Sequence, residues 1–476
     1  MAGRGQWNSR FGFIMAAVGS AVGLGNLVRF PREMADQGGA AFLFVYLGLL
    51  LLVGLPAMLG EMSIGKMTNA SPVAAYRKLA GDDKSKWAIL GVFGVLAAVF
   101  VLFFYTVIAG WALRFFVESF RDGWFDDPSG LFDTVSFGPW TIFWNFVVTA
   151  VTIYIVSRGI SGGIEKATVI MMPALFLIIV GIVVYALFQD GMGAGYREIF
   201  DPDFSEMSIN NVSNAIGQVF FSLSLGQGAM LTYASYMEKK QSVTKDGTTI
   251  AFADSGVALL AAMMIFPVLA FTGLLADPTT QAQLDSGSFG TAFRALPNAF
   301  VSMGDVIGRI VGTVFFLGLF FAALSSAISL LEVPTSVLAD KGMQRWKAAV
   351  LMGMITYTFG VLSSINSNWL DLFDQIAINV FVVVGVALTT IFAGWKAKGV
   401  AKELDAGLKS RIGIYVVWMM RTVTPVLILV TFIFGGLWGV DANGDFAFWH
   451  SAAGDGETTA NWRNLLQLFG KAFRFE

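Results

Sequence analysis

Cysteine is absent from the 476 residues, and histidine occurs once, at position 450. The chain therefore offers no disulfide framework, thiolate metal site or Cys-linked haem. A lone His in the polar stretch after Val440 is a poor candidate for a metal ligand or a catalytic base. Charge is scarce too. Asp, Glu, Lys and Arg make up 13% of the residues, half the share found in soluble domains, about 25%. A net charge of −2 provides no basic field for nucleic acid. No nucleophile–base pair, metal cluster or phosphate loop stands out, so an enzyme is not expected.

Apolar residues fill the space that charge leaves. Hydrophobic side chains make up 56% of the chain, with 44 Phe and 13 Trp, as lipid-facing surfaces and interfacial belts require. A membrane span needs about 20 such residues. Eleven stretches qualify: 11–35, 40–67, 88–120, 139–157, 165–188, 212–236, 247–275, 302–338, 346–366, 369–395 and 412–440. The expected class is an all-α polytopic membrane protein embedded in a lipid bilayer. Segment 284–300 reads as an outer loop with a short helix ending near Pro297, and 441–476 as a polar tail. The start, MAGRGQWNSR, has the charge of a signal peptide, but the apolar run behind it exceeds an h-region and lacks a small-residue cleavage site. If residues 1–10 are cytoplasmic, 20 of the 31 Lys and Arg fall on that side. Basic residues collect inside. The N-terminus is thus expected in the cytoplasm of a cell membrane, inner or plasma, and the C-terminus outside after eleven spans.

Two spans look broken. Span one, FGFIMAAVGSAVGLGNLVRFP, carries Gly19, Gly23 and Gly25 at mid-membrane, followed by Asn26 and Arg29. Glycine in a helix interior costs about 1 kcal/mol relative to Ala, a poor design for a plain anchor. Irregular backbone survives in a bilayer only where it lines a protein cavity, so the break reads as a site with carbonyls for a cation and amides for an anion. Span six repeats the pattern at Leu225-Gly226-Gln227-Gly228. The two lie five spans apart, an odd number, so the halves run oppositely through the membrane. Paired interruptions of this kind mark inverted-repeat secondary transporters.

The sequence resembles the neurotransmitter:sodium symporter family over nearly its whole length. The resemblance is carried by GSAVGLGNLVRFP (19–31), GGAAFLFVYL (38–47), VLFFYTVIAGWAL (101–113), SGGIEKATVIMMP (161–173), FFSLSLGQGAMLTYASY (220–236) and ALSSAISLLEV (323–333). It implies a five-plus-five inverted repeat: spans one to five over 11–188, spans six to ten over 212–395, an added span at 412–440 and no twelfth, a shorter form shared by some bacterial members. It also implies a sodium-coupled symporter that imports an L-amino acid by alternating access.

Residue roles follow from the same resemblance. A first sodium site would use the Ala21 carbonyl, Asn26, Ser222 and Asp254. A second would use carbonyls of Gly19, Val22 and Ala322 with hydroxyls of Ser325 and Ser326. Residues 322, 325 and 326 do share one helix face, though either Ser could simply bond its own helix. Substrate carboxylate would meet the amides of Leu24 and Gly25 and the Tyr105 hydroxyl, and its amino group the carbonyls of Ala21, Phe221 and Ser224. Gly23 stands where monoamine carriers of the family have Asp, which favours an amino acid. Its side chain would lie among Val101, Phe221, Ser224, Gln227, Ala327 and Leu330, close to Ser222. Small Ala327 favours a bulky hydrophobic or aromatic substrate, and Gln227 leaves polar ones open. Asp254, an ionisable group within a span, would take the place of the chloride that relatives with Asn here require, beside Tyr46 and Gln218.

The family's gates would be Arg29 with Asp374 outside, and Arg4 with Asp340 inside, supported by Trp7 and Tyr236. Gly163 and Pro173 would either unwind the inner half of span five or merely kink it. Glu61 and Glu332 read as structural carboxylates or as proton carriers. A proton- or cation-coupled carrier on the same scaffold, a channel and a non-transporting sensor are the competing readings.

Overall fold

The structure, a computed structural model, describes residues 5–431 except 83, 122, 129, 206, 277–289 and 409–410. Arg4, His450, the tail and the end of span eleven lie outside the described residues. Among those described, secondary structure is helical, with no strand. Among the described residues, nine helices are long and apolar enough to cross a bilayer: Ala40–Thr68, Ala88–Glu118, Pro139–Ser157, Ile160–Leu187, Val243–Phe271, Asp305–Asp340, Arg345–Ile365, Ser367–Lys396 and Gly413–Val430. These are spans two to five and seven to eleven. Span one is a bent pair, Arg10–Ala21 and Gly25–Asp36, turned by 52°. Span six is two pieces, Ile209–Ser222 and Ala229–Ala234, too short to be counted as spans singly.

Start signals are local. Ser9 Oγ accepts from Gly12 N at 2.9 Å and caps span one. Ser208 and Asn211 form a reciprocal capping box at the head of span six. Spans three, four, eight and nine pack on one another as a frame. The first half of span one lies against spans five, seven and eight, and the second half of span six against spans two and eight. Turns of π-helix, Leu50–Gly54 and Ile376–Val382, interrupt spans two and ten, and a third, Ile160–Ile164, opens span five. The one in span ten faces the span-six break: a Cβ on Gly226 would stand 2.6 Å from the Val382 carbonyl oxygen.

One expectation is corrected, and one of two alternatives is seen. The outer helix does not stop near Pro297 but runs from Thr291 to Ser302 with Pro297 inside it. Its later turn is held by Phe300, whose ring meets Phe315 at 5.3 Å and Trp124 at 6.1 Å. The inner half of span five is not unwound: Gly163 sits in the π-turn and Pro173 within the continuous helix Glu165–Leu187.

Candidate functional site

Both breaks exist, and they arise differently. In span one the helix ends at Ala21, Val22 is extended (φ −72°, ψ 105°), and helical structure resumes at Gly25. Gly19, Gly23 and Gly25 are not among the residues of positive φ. They supply room instead. A Cβ on Gly23 would lie 2.4 Å from Tyr105 Oη and 2.6 Å from Ser326 Oγ; one on Gly25 would lie 2.8 Å from the Phe221 ring. In span six the backbone itself turns left-handed, with φ +52° at Ser224 and +70° at Gly226 and Gly228. Two of those three are glycine, which takes that region without strain.

The breaks meet through a buried polar cluster. Asn26 Nδ2 donates to Asp254 Oδ1 (2.8 Å), to the Asp254 carbonyl (3.0 Å) and to Ser222 Oγ (3.1 Å). Ser222 Oγ donates to Asp254 Oδ2 at 2.5 Å, and Gly23 N donates to Asn26 Oδ1 at 3.2 Å. Asn26, Ser222 and Asp254 are all fully buried. A solvated position for Asp254 at the cytoplasmic end of span seven is therefore excluded. Ala21 closes the helix beside the cluster. Next to it, Gln218 Nε2 donates to the Gly25 carbonyl at 2.9 Å, and the Tyr46 hydroxyl is buried without a partner.

Span eight meets the same break. Ser326 Oγ reaches the carbonyls of Gly19 (3.4 Å), Ser20 (3.3 Å) and Ala322 (3.2 Å). Ser325 Oγ bonds Ala322 within its own helix (3.0 Å), and a Cβ on Gly19 would be 3.1 Å from Ser325 Cβ. Gly19, Ala322, Ser325 and Ser326 thus converge, with Val22 at the turn that follows.

Between the breaks lies a tight cavity of about 20 Å³, lined by Ser20, Ala21, Gly23, Gly25, Val101, Tyr105, Phe221, Ser224, Gln227, Ser326 and Leu330. Three residues expected on its wall are elsewhere. Leu24 turns its amide to the Tyr105 hydroxyl (3.1 Å), Ser222 belongs to the Asn26–Asp254 cluster, and Ala327 is fully buried in packing. Ser20 was not foreseen. Its carbonyl accepts from Ser224 Oγ (2.7 Å) and its hydroxyl meets Ser329 Oγ (2.8 Å). A lone Ser beside Gly19 in an apolar run was the available signal.

The outer pair stands apart in this structure. Arg29 bonds Glu33, one turn along its own helix, at 3.4 Å and lies 5.2 Å from the Phe221 ring centroid. It makes no ion pair with Asp374, one of whose carboxylate oxygens is buried without a partner. On the inner side, Asp340 Oδ2 accepts from Ser71 N at 2.7 Å. Trp7 is buried, its Nε1 donating to the Tyr233 carbonyl at 3.1 Å and its ring standing edge-on to Tyr233 and Tyr236. Tyr236 donates to Glu332 Oε1 at 2.7 Å, and Glu332 pairs with Arg345. Glu61 accepts from Gly226 N at 3.2 Å and so satisfies the broken backbone of span six. Sequence reasoning missed the attachments of residues 8–10: Asn8 N and Ser9 Oγ to Glu165 (2.8 and 3.0 Å), and Arg10 to Asp246 (2.6 Å).

Two interrupted helices sharing one buried polar hollow, in an all-helical bundle of apolar spans, define a multi-pass membrane carrier. A sequence profile described as the Sodium:neurotransmitter symporter family matches residues 4–126 and 135–443, and the chain belongs to that family. It is 31% identical over 455 residues to YhdH of Bacillus subtilis, an uncharacterized sodium-dependent transporter, covering 90% of this chain and 97% of that one. Another sodium-dependent transporter described as uncharacterized, from Methanocaldococcus jannaschii, is 32% identical over 447 residues, 89% of each chain. The crystal structure of MhsT in complex with L-phenylalanine matches with a TM-score of 0.81 and 36% identity, over 90% of this chain and 99% of that chain. The five-plus-five inverted-repeat class expected from the broken spans is the fold shared with that structure.

Proposed function

We propose that this protein is a sodium-coupled symporter that imports an L-amino acid by alternating access, independently of chloride. The observation that carries the reading is the meeting of both breaks at Asn26, Ser222 and Asp254, beside a cavity that holds no charged side chain. Sodium favours oxygen ligands. Asn26 Oδ1, Ser222 Oγ, the Asp254 carboxylate and the Ala21 carbonyl form one such set. Gly19, Val22 and Ala322 carbonyls with Ser325 and Ser326 hydroxyls form a second. The substrate's ammonium and carboxylate face the opened backbone around Ala21, Gly23, Leu24 and Gly25, with Tyr105 above, and its side chain lies toward Val101 and Leu330. Those apolar walls suit the hydrophobic stem of a neutral amino acid, the class to which the L-phenylalanine in the MhsT crystal structure belongs.

Asp254 supplies the negative charge beside the first sodium, which removes the need for an anion from solution. Arg29, Asp374 and the Phe221 ring close the outer side. Trp7, Tyr236 and Asp340 close the inner side, with Arg4 the partner proposed for Asp340. The cytoplasm borders the N-terminal segment, in accord with the Lys and Arg distribution. Uptake of radiolabelled amino acids into proteoliposomes tests the proposal. An inward sodium gradient drives accumulation, choline in place of sodium abolishes it, and gluconate in place of chloride leaves it unchanged. Accumulation driven by a proton gradient in choline would overturn sodium coupling, and a strict chloride requirement would overturn the role given to Asp254.

A further inference from the structure

We infer that the substrate is a neutral amino acid whose side chain ends in a hydrogen-bonding group, read by the carboxamide of Gln227; the inference rests on the transport function proposed above. Gln227 lies in the span-six break between two left-handed glycines. Its backbone abuts span three, where a Cβ on Gly94 would be 3.2 Å from Gly228 N and 3.5 Å from the Gln227 carbonyl carbon. The residue is 3% exposed and lines the cavity.

The other polar groups of that wall are occupied by the protein itself. Ser224 Oγ donates to the Ser20 carbonyl, Ser326 Oγ to the Ala322 carbonyl, and the Tyr105 hydroxyl accepts from Leu24 N. The Gln227 carboxamide makes no hydrogen bond with any described residue, yet neither of its polar atoms is sealed from open space. The residue borders the cavity, and we take its carboxamide to face that space.

Position assigns the carboxamide to the far end of the substrate. Gly23 and Tyr105 mark the end where main-chain groups bind. Val101 lies one helical turn before Tyr105, and Leu330 one turn after Ser326, both displaced toward the cytoplasmic side. Gln227 shares that deeper end, since Gly94 precedes Val101 on the same helix. A hydrocarbon tip arriving there strips water from a donor and an acceptor and returns nothing. Sites built in this way discriminate strongly against ligands that lack the polar atom. A charged tip fares no better, because no Asp, Glu, Lys or Arg lines the cavity and a buried charge needs a partner. The chemistry that fits is an apolar stem against Val101 and Leu330 with an amide, hydroxyl or indole N–H at its end.

Isosteric competitors isolate the polar atom. Sodium-driven uptake is competed by glutamine against methionine, tyrosine against phenylalanine, and threonine against valine. The wild-type protein is expected to prefer the polar member about tenfold in the pair that fits best. Gln227→Met should erase or invert that ratio, measured within the variant so that its absolute rate does not matter. Wild-type preference for methionine, phenylalanine and valine overturns this inference and leaves sodium-coupled transport standing; so does a ratio unmoved by Gln227→Met. Absence of sodium-driven uptake for every amino acid overturns both.

Discussion

Gly23 shows how little space separates a site from a packed core. The Tyr105 hydroxyl and the Ser326 hydroxyl converge on the position a methyl group would occupy, at 2.4 and 2.6 Å. Gly23→Ala is therefore expected to abolish amino-acid binding while the protein still purifies as a monodisperse species. Equilibrium binding of a labelled substrate checks this, and undiminished binding would contradict it. Asp254 carries the other residue-scale prediction. Its carboxylate accepts from Asn26 and Ser222, both fully buried. Asp254→Ala removes the acceptor of the buried Ser222 hydroxyl, which costs about 1–3 kcal/mol, and should lower the unfolding temperature in detergent as well as sodium affinity. Asp254→Asn keeps a polar group but not the charge, and should make uptake require chloride. Much of this was legible in the sequence: Asn26 and Asp254 stand out as polar residues in apolar spans. The reason for the span-one glycines was not. They read as helix breakers, whereas their positions serve close approach, which depends on neighbours more than 80 residues away in sequence.

At the scale of elements, the short N-terminal segment is the part that must let go in the proposed transport cycle. Trp7, Asn8, Ser9 and Arg10 fasten the first half of span one to spans five, six and seven. Trp7 contributes most, because truncating a buried Trp typically costs about 3–5 kcal/mol. Trp7→Ala is expected to loosen this half-helix and open the cavity inward. Because the chain has no cysteine, a single Ala17→Cys provides the only thiol, and its labelling rate from the cytoplasmic side should rise several-fold when combined with Trp7→Ala. An unchanged rate would count against the segment as an inner closure. Spans were legible because a run of about 20 apolar residues has few other uses. Partners of charged groups were not. Arg29 faces Asp374 by resemblance, but a Glu four residues along its own helix is within reach wherever the helix goes, and Glu33 takes it.

For the whole molecule, the proposed ion site and the proposed substrate cavity share parts. Asn26 holds Gly23 N with one end of its side chain and Asp254 with the other. Gly23 and Gly25 in turn form the cavity wall. A cation drawn to the Asn26–Ser222–Asp254 cluster therefore orders the same backbone that receives the substrate. Coupling of this kind is reciprocal and typically amounts to about 5–150-fold in affinity. The inverted repeat was legible from two glycine-rich interruptions five spans apart. The frame of spans three, four, eight and nine was not, because lipid-facing and buried apolar residues look alike in a sequence.

The most direct measurement is equilibrium binding of a labelled amino acid to the purified protein across a sodium titration at constant ionic strength, with choline as the replacement. The account predicts that the dissociation constant falls at least about tenfold as sodium saturates, and that Asn26→Ala flattens the dependence. An affinity equal in sodium and in choline would contradict it.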